Sequence, residues 1–499
     1  MKPITRRKIL RGAAVLCSGL ASALVAACKG RIIEVERIVR VEKEVTKVVT
    51  EIVRETVVVE KTPQIVERTV ENVVTPTSAP DPRTVIVADV TNYGWTEFAT
   101  RMSPAFQEMF PHIAIRWRGR HGWGEYPQRI AALQASGQTG DLLEAPMGTL
   151  LAAWTQRGLI RPLDSLLETE NFDTGDIFQG GLNACRHEGG LMGMPFLCHA
   201  GENVLLYNQA LFAGADLPHP TVEWTLEDLE RAGRQLTRDT NGDGRIDHFG
   251  YVSSPELPHA YPLLHLFDAH LLSEDGKSSA VTEDNTLSFL RWAHGQRHAG
   301  QIAPTPAQVE RGPLEMFRTG RAAMLRGDLR TLIALNRMGE EAPPTGSTLL
   351  PTHPDTGREG TLAQGMVYAI TQTSEIPQHV LRWIRFMCSR EMGVQMFLGG
   401  YAEPGCRAAS WKDPRVLERF PICSQIAEAA EGAEAQRLPW NLRTTECLAA
   451  WNRDVRAILS DQIDIEDGAE RMAKEIEEIL DRAPEDGLQM EDWQMPTRG

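Results

Sequence analysis

From Arg83 onward the sequence predicts an α/β fold built on a largely parallel sheet. Apolar stretches of strand length alternate with amphipathic stretches of helix length, and this alternation is typical of βαβ units. The composition agrees with a globular body, since 42% of the residues are hydrophobic and 24% are charged. The length of 499 residues leaves room for about two or three domains.

The alternation starts with three strands and two helices in succession. In chain order, the predicted elements are a strand at 84–90, a helix at 98–109, a strand at 113–117, a helix at 128–136 and a strand at 141–143. The later part of the body is more helical, with helices predicted at 226–237, 286–299, 313–321, 377–387, 416–430 and 448–481. In open α/β sheets ligands bind beyond the carboxyl ends of the strands, so the segments after the first and third strands are candidates for a site.

The N-terminus has the pattern of an export signal. Residues 1–11 contain five basic side chains and no acidic one, and residues 12–27 are small and apolar. A basic segment followed by a short apolar one predicts a signal peptide at 1–27 and not a permanent membrane helix. The pair Arg6 and Arg7 resembles a twin-arginine signal, which directs the export of a protein that has already folded.

The segment 25–28, VAAC, resembles the bacterial lipobox, in which small residues precede a cysteine that is acylated and becomes the mature N-terminus. The alternative is a buried cysteine at the end of an apolar segment. The position directly after the predicted signal favours lipidation of Cys28. Acylation there would anchor the protein to the membrane, since several acyl chains hold a protein more firmly than one. The sequence therefore predicts a lipoprotein on the outer face of the cytoplasmic membrane.

A spacer at 28–82 separates Cys28 from the body, and its pattern supports two interpretations. A 3-4-3-4 spacing of apolar residues predicts one face of a short coiled coil, formed by Ile38, Val41, Val45, Val48 and Ile52. The abundance of β-branched residues in 31–74 instead favours an extended or disordered chain. The Pro-rich residues 75–82 predict a linker at the end of the spacer.

Charge and cysteine spacing narrow the possible partners. The 52 basic and 67 acidic residues give a formal net charge of −15, which argues against nucleic acid as a partner, since binding to phosphates requires Lys and Arg. The body has six cysteines, none in a metal-type spacing: Cys185, Cys198, Cys388, Cys406, Cys423 and Cys447. A body of this size does not need disulfides for stability, so buried free thiols are favoured over pairing.

Six segments of the body carry a family resemblance, and they are 102–117, 189–217, 224–237, 315–328, 361–370 and 399–410. The most specific is EMFRTGRAAMLRGD at 315–328, which matches the pattern F-x-x-G-x-A-A-M-x-x-x-G. Taken in order, these segments resemble family 1 of the extracellular solute-binding proteins of ABC importers, a group that includes maltose- and oligosaccharide-binding proteins. The sequence departs from that family at Leu329, where many relatives carry Trp, and at 364–366, where a Gly-rich string is usual.

The resemblance implies a two-lobed periplasmic-binding-protein-like fold of type II, with a hinge and an interlobe cleft. The chain order of the family places lobe 1 at 83–196 and 365–402. It places lobe 2 at 197–364 and 403–482, followed by a C-terminal tail at 483–499. Lobes of this kind close around a ligand by hinge motion and bury most of its surface.

The same resemblance implies that the protein captures a sugar or oligosaccharide and delivers it to an ABC permease, as a monomer, without catalysis and without a required cofactor. No GxxxxGK[ST] loop is present in the sequence, so ATP would be hydrolysed by another subunit. Alternatives with the same fold are a peptide, polyamine or phosphate-ester ligand, or a membrane sensor as the partner. An exported glycoside hydrolase is disfavoured because the sequence lacks a hydrolase signature.

Candidate ligand contacts come from the sheet edge, the hinge and the resemblance. Sugar sites combine aromatic faces with carboxylates and amides. The residues after the first and third strands supply Tyr93, Trp95 and Glu144, and the hinge-side segment supplies His199 beside Glu202. The positions of the family's ligand contacts add Tyr261, Asp328, Gln364, Met366 and Trp440. For each aromatic residue the alternative is ordinary packing in a core or on the surface.

Residues 239–247 have the oxygen pattern of a calcium loop. Side-chain oxygens at positions 1, 3, 5 and 9 and a backbone carbonyl at position 7 suit a hard cation, and the ligands would be Asp239, Asn241, Asp243, Asp247 and Arg245. Gly250 stands at position 12, where an EF-hand has a bidentate Glu. The sequence thus predicts a structural Ca²⁺ site, with a tight loop closed by Asx turns as the alternative.

Overall fold

The computed structural model describes residues 32–43, 47–58, 83–122, 125–147, 149–187, 189–309, 311–435 and 443–482. By its internal contacts the chain divides into two compact units, Met1–Pro82 and Arg83–Gly499. The predicted signal peptide, the lipidated Cys28, the Pro-rich linker and the C-terminal tail lie outside the described residues.

The described part of the spacer is a two-stranded antiparallel hairpin. Strand β1 (Ile32–Lys43) pairs with β2 (Lys47–Val58), and the register places Ile38 opposite Ile52. The coiled-coil prediction is therefore wrong over these strands, and the extended alternative is confirmed. The physical reason is the high content of β-branched residues, which lose rotamer freedom in a helix and fit a pleated strand pair.

The unit that begins at Arg83 contains two main sheets with helices around them. Its strands are β3 (Thr84–Thr91), β4 (Ile113–His121), β5 (Leu142–Pro146), β6 (Arg186–His187), β7 (Gly190–Leu191), β8 (Met194–Cys198), β9 (Val204–Asn208), β10 (Phe249–Val252), β11 (Ala322–Gly327), β12 (Thr345–Leu349), β13 (Leu362–Ala363), β14 (Gly365–Ile370) and β15 (Glu434–Ala435). Its helices are α1 (Gly94–Met109), α2 (Tyr126–Ala135), α3 (Thr149–Gln156), α4 (Asp164–Thr169), α5 (Gln179–Asn183), α6 (Gln209–Gly214), α7 (Leu226–Leu236), α8 (Tyr261–Leu266), α9 (Asp284–Arg297), α10 (Pro313–Arg318), α11 (Leu329–Met338), α12 (Pro377–Met387), α13 (Arg390–Leu398), α14 (Ala408–Trp411), α15 (Pro414–Arg419), α16 (Ile422–Glu431), α17 (Thr444–Leu459) and α18 (Ile465–Leu480).

The first sheet has the strand order β4-β3-β5-β14-β8. Strand β3 is parallel to β4 and β5, as the alternation of strands and helices predicts. Strand β14 is antiparallel to both β5 and β8, so the complete sheet is mixed and not largely parallel. The reason is connectivity, because β14 enters this sheet from a distant part of the chain and not through a βαβ crossover.

The second sheet has the strand order β10-β11-β9-β12 and is also mixed. Strands β10 and β11 are parallel, whereas β9 runs antiparallel to β11 and β12. The chain passes from the first sheet to the second between Cys198 and Val204, and returns between Leu349 and Gly365. The predicted division into two lobes stays a prediction.

Each of two long predicted helices corresponds to a pair of shorter helices in the structure. The prediction at 416–430 spans α15 and α16, which are separated at Pro421, and the prediction at 448–481 spans α17 and α18. The second break contains Asp461 with a positive φ of 58° and ends at Asp464, whose side chain accepts a hydrogen bond from the Glu466 N–H. Apolar periodicity alone misses such breaks, because the two helices of each pair bury faces in the same core.

Two hydrophobic cores support the sheets. The first includes Phe106 and Trp383, whose rings meet edge to face at 5.1 Å between centroids. The second includes Phe289 and Trp451, and through Trp451 it brings helix α17 against α9. The six body cysteines are buried and unpaired, as expected from the size of these cores. Among the described residues, none of the helices has both the length and the apolar composition that crossing a membrane requires.

Candidate functional site

A fully buried carboxylate fixes an aromatic ring at the carboxyl edge of the first sheet. The Trp95 indole N–H donates to Glu144 Oε1 at 2.8 Å, the Thr91 hydroxyl donates to the same oxygen at 2.5 Å, and the Thr96 hydroxyl donates to Oε2 at 3.2 Å. Tyr93 stacks on Trp95 with 4.8 Å between ring centroids. Three donors on one carboxyl group leave the indole little freedom to rotate.

The start of helix α1 owes its position to a glycine. A Cβ atom at Gly94 would lie 2.7 Å from the Tyr401 carbonyl oxygen, which is closer than real Cβ atoms approach. The absence of a side chain therefore lets the Tyr93–Trp95 turn pack against residues 399–407, the segment between helices α13 and α14.

Glu144 acts on the site through Trp95 and not by direct exposure. Its side chain is buried, and burial raises the pKa of Glu144, while the hydrogen bonds from Thr91, Trp95 and Thr96 lower it only in part. A buried carboxyl group with no basic partner favours its protonated form. The sequence predicted both Glu144 and Trp95 as ligand contacts. In the structure Glu144 is fully buried and bonds Trp95, which is 9% exposed at the margin of the first core, so both contacts stay predictions.

His199 lies where the chain leaves the first sheet. Its backbone N–H donates to the Gln364 carbonyl at 2.7 Å, so the outgoing and returning segments are joined there. Its ring nitrogen Nδ1 lies 2.6 Å from Glu403 Oε2. The ring centroid is 6.5 Å from that of Trp95, at an interplanar angle of 60°. His199 therefore links the aromatic edge of the first sheet to the crossover segments.

Asp328 and Arg330 form an ion-pair cluster at the start of α11. Asp328 caps this helix by accepting from the Thr331 N–H at 2.6 Å, and Arg330 Nη2 donates to Asp328 Oδ2 at 3.1 Å and to Glu202 Oε1 at 2.7 Å. Burial alone would raise the pKa of Asp328, but the Arg330 charge and the Thr331 hydrogen bonds lower it to about 2. Asp328 is thus ionised at neutral pH and fixed in place on both oxygens.

Gln364 and Arg326 complete the cluster around Glu202. The Gln364 side-chain amide donates to Glu202 Oε2. The buried Arg326 donates from Nη2 to the Glu202 carbonyl at 2.7 Å. Glu202, in the outgoing crossover, thus receives hydrogen bonds from the returning crossover, from helix α11 and from the second sheet, which makes it the central acceptor of the cluster.

Six of the nine predicted ligand contacts form one continuous group, and these are Tyr93, Trp95, Glu144, His199, Asp328 and Gln364. Met366 is buried in β14, opposite Pro146 of β5. Tyr261 is buried in the second core, away from the hydrogen bonds described above. Trp440 lies outside the described residues.

Sequence reasoning missed Arg330 and Glu403. Arg330 was detectable in part, because it follows the helix cap Asp328 by two residues and can turn back towards it. Glu403 gave no signal, since its partner His199 is 204 residues away in the chain. Contacts of that separation depend on how the segments cross, which periodicity does not report.

The loop at 239–247 is closed by hydrogen bonds to its own backbone. Asp239 accepts from Gly242 and Gly244, and Asp247 accepts from the Thr240 N–H at 2.9 Å. Across the described residues, no three His, Cys, Asp or Glu side chains are grouped as a metal site would require. This geometry matches the Asx-turn alternative, and the Ca²⁺ site stays a prediction.

Replacing Glu144 with Gln removes a pH dependence of stability. Folding raises the pKa of Glu144. Its contribution to the free energy of unfolding is therefore fully present below the pKa of an unfolded glutamate, and it is lost as pH rises through the pKa of the folded state. We expect Glu144→Gln to gain stability relative to wild type as pH rises between these two pKa values, with a slope of about 1.4 kcal/mol per pH unit. The measurement is urea unfolding at a series of pH values.

The control for this experiment is Glu125→Gln, an exposed glutamate at the start of α2. Because Glu144 is unchanged in this variant, Glu125→Gln should keep the pH dependence of stability that Glu144 contributes. Parallel curves for Glu144→Gln and wild type would contradict the assignment of Glu144 as a buried group that prefers its proton.

The predicted Ca²⁺ loop can be tested by thermal unfolding with Ca²⁺ or with a chelator. At about a hundred times the dissociation constant, a cation that binds only the folded state adds about 2.7 kcal/mol of stability. We expect Asp243→Asn to lose this gain while keeping its turn acceptor for the Arg245 N–H. Asp275→Asn, in a separate exposed turn, is the matched control. Equal melting temperatures with Ca²⁺ and chelator would contradict the prediction.

Solved structures of other proteins share this fold. The ABC substrate-binding protein Lmo0181 from Listeria monocytogenes, in complex with cycloalternan, has a TM-score of 0.64 at 17% identity and covers 80% of this chain and 99% of its own. The sugar-binding protein MalE from Xanthomonas citri has a TM-score of 0.68 at 15% identity, with coverage of 80% and 97%. Maltose-bound MalE3 from T. maritima has a TM-score of 0.59 at 18% identity, with coverage of 80% and 99%. These likenesses confirm the predicted periplasmic-binding-protein fold.

Sequence comparison gives the family. No curated protein matches the chain. The family model described as "Bacterial extracellular solute-binding protein" matches residues 88–393, which cover the second sheet, most of the first sheet and every residue of the cluster around Glu202. The fold, the crossover segments and this match lead to one conclusion: the chain belongs to the bacterial extracellular solute-binding protein family.

Proposed function

We propose that this protein captures a sugar or oligosaccharide beside Trp95 and delivers it to the permease of an ABC importer. The observation that carries the proposal is the convergence of a fixed aromatic ring with a set of carboxylate, amide and imidazole groups. Aromatic faces cover the C–H patches of a sugar ring, and the polar groups bond its hydroxyls. The structural neighbours support a sugar, since they include a complex with cycloalternan and a maltose complex.

The polar groups near Trp95 suit a neutral ligand with many hydroxyls. Asp328 and Glu202 both pair with Arg330, and the buried Arg326 lies beside them, so neither carboxylate is left without a basic partner to bind a polyamine. The remaining lone pairs and N–H groups of Glu202, Gln364 and His199 suit hydroxyls, which both donate and accept. A neutral saccharide gains hydrogen bonds here without desolvating an unpaired charge.

Capture involves no bond making or breaking. Membership in a family of binding proteins agrees with the expectation that the chain is not an enzyme. The crossover segments at 199–203 and 350–364 are the connections about which the two sheets would approach each other around a ligand. Delivery would then follow from docking of the closed, monomeric form on the permease.

We also propose that the protein is held at the outer face of the cytoplasmic membrane through acylated Cys28. The basis is the VAAC segment after the predicted signal, together with the extracellular character of the family. Residues 28–82 would then separate the membrane from the body that begins at Arg83.

Replacing Trp95 with Ala should weaken saccharide binding. Loss of a central aromatic contact costs about 2 kcal/mol or more, so we expect an affinity loss of about 30-fold and a smaller thermal shift. The measurement is a thermal-shift panel of mono- and oligosaccharides, amino acids, polyamines and sugar phosphates, followed by calorimetry with the saccharide that shifts most.

Trp292→Ala is the matched control for Trp95→Ala. Its indole N–H also donates to a glutamate, Glu230, at 3.1 Å, but it lies on α9 beside the second core. Trp292→Ala should keep the saccharide affinity of wild type. If another ligand class raises the melting temperature and no saccharide does, the transport proposal holds and the proposal that the ligand is a sugar is wrong.

Replacing Cys28 with Ala should release the protein from the membrane. Without the cysteine no diacylglycerol can be attached, so we expect the chain in the soluble fraction and without incorporated fatty acid. The measurement is metabolic labelling with a palmitate analogue, followed by fractionation. Cys447→Ala, which removes a buried thiol of the second core, is the control and should keep both label and membrane association. Equal labelling of wild type and Cys28→Ala would contradict the anchor.

A further inference from the structure

The His199 ring has two neighbours that make opposite demands on one nitrogen. Glu403 Oε2 lies 2.6 Å from Nδ1, and Arg330 Nη1 lies 3.4 Å from the same atom. A carboxylate can only accept a hydrogen bond, and a guanidinium can only donate one. The Nδ1 atom therefore satisfies one of these neighbours and not both.

The shorter of the two contacts shows which neighbour the Nδ1 atom of His199 bonds. At 2.6 Å the contact with Glu403 is a charge-assisted hydrogen bond, whereas 3.4 Å to Arg330 is at the limit of a weak one. Arg330 is also occupied by Glu202 and Asp328 through Nη2. The proton consequently resides on Nδ1 and is donated to Glu403.

This assignment leaves Nε2 as the free nitrogen of His199. Among the described residues, Nε2 has no hydrogen-bond partner, and the side chain keeps 14% of its surface exposed. The ring stands 6.5 Å from the ring of Trp95. The exposed nitrogen thus belongs to the same polar group as the proposed sugar-stacking residue.

Glu403 cannot reach solvent and is held by its surroundings. Its side chain is fully buried, and Oε1 has no hydrogen-bond partner among the described residues. A Cβ atom at Gly201 would lie 3.5 Å from Oε1, an ordinary contact distance, so the backbone at Gly201 lies beside this oxygen. The backbone is anchored too, since Cys198 N–H donates to the Gly405 carbonyl. Burying a carboxylate with one free oxygen is costly, and a role in setting His199 accounts for its presence.

We propose that Glu403 is a positioning residue that holds His199 with its proton on Nδ1, so that Nε2 accepts a hydrogen bond from a hydroxyl of the bound saccharide. Glu403 itself does not touch the ligand. The pair couples the segment at 399–407 to the ligand, because the carboxylate comes from there and the imidazole from the exit of the first sheet. This inference rests on the proposed function for the ligand and on the Glu403–His199 contact for the geometry.

Two substitutions of His199 separate the two nitrogens. His199→Asn places an amide where Nδ1 was and keeps a donor to Glu403, but it removes the group at the Nε2 position. His199→Gln does the reverse. If Nε2 bonds the ligand, His199→Asn loses about tenfold in affinity, the effect of about one hydrogen bond, and His199→Gln loses about threefold or less. Affinity is measured on the full-length protein with the saccharide that gives the largest thermal shift.

The opposite ranking would overturn the proposal. If the pair only stabilises the fold, His199→Asn keeps both melting temperature and affinity, while His199→Gln loses stability. The conservative Glu403→Gln retains an acceptor oxygen for Nδ1–H, so it should keep the affinity within about threefold, whereas Glu403→Met should lose as much as His199→Asn.

A spectroscopic measurement tests the positioning without any ligand. Long-range ¹H–¹⁵N correlation of the histidine side chains in alkaline buffer reports which nitrogen carries the proton, and His199 is assigned by its missing signal in His199→Gln. We expect the Nδ1–H form in wild type and a change towards the Nε2–H form in Glu403→Met. An Nε2–H form in wild type would overturn the inference. If no saccharide binds, the proposed function fails, and the tautomer still decides whether Glu403 sets His199.

Discussion

The candidate site depends on one ion-pair constraint, the charge of Arg330 among acidic side chains from separate parts of the chain. Arg330 bonds Glu202, which lies in the segment leaving the first sheet, and Asp328, which caps the helix that carries Arg330. The two carboxylates are largely buried while Arg330 keeps 35% of its side chain exposed, so separating these segments would leave the carboxylates without this hydrogen-bond donor. The pairing therefore ties the crossover segment to the helix that follows β11, and through Glu202 it also links Gln364.

The aromatic side of the site is held by neutral hydrogen-bond donors and not by ion pairs. Within the described part of the chain Glu144 has no basic partner, and it accepts from the neutral donors of Thr91, Trp95 and Thr96. A carboxyl group in such a setting favours the protonated form and serves as a fixed acceptor for the indole. One half of the site is thus held by paired charges and the other by a buried acid. The His199 ring lies between them, in contact distance of Glu403 and near Trp95. A ligand placed beside Trp95 would meet a rigid ring on one side and orientated polar groups on the other.

Much of the fold was predictable because local patterns dominate its elements. The strand at Thr84–Thr91 and the helix at Pro377–Met387 lie where apolar periodicity predicted them. The errors have physical causes: Pro421 and the turn at Asp461 divide long apolar repeats, and β14 joins the first sheet in the antiparallel direction. In the site, the prediction from the sheet edge and the family pattern brought together Trp95, His199, Asp328 and Gln364. Tyr261, which it also named, packs in the second core, and Trp95 itself belongs to the first, so the ligand contacts stay predictions.

The sequence by itself determined the α/β class and the family to which the body belongs, and it left the spacer open between a coiled coil and an extended or disordered chain. These depend on neighbours in the chain, where side-chain period, helix caps and turn residues act over a few positions. Only the tertiary structure decided that Glu144 supports Trp95 from below the surface, that Arg330 joins Glu202 to Asp328, and that Glu403 holds His199. Those contacts bridge separations such as the 204 residues between His199 and Glu403. Their formation depends on the route by which the chain passes between its two sheets, and the pattern of any single segment carries no information about that route.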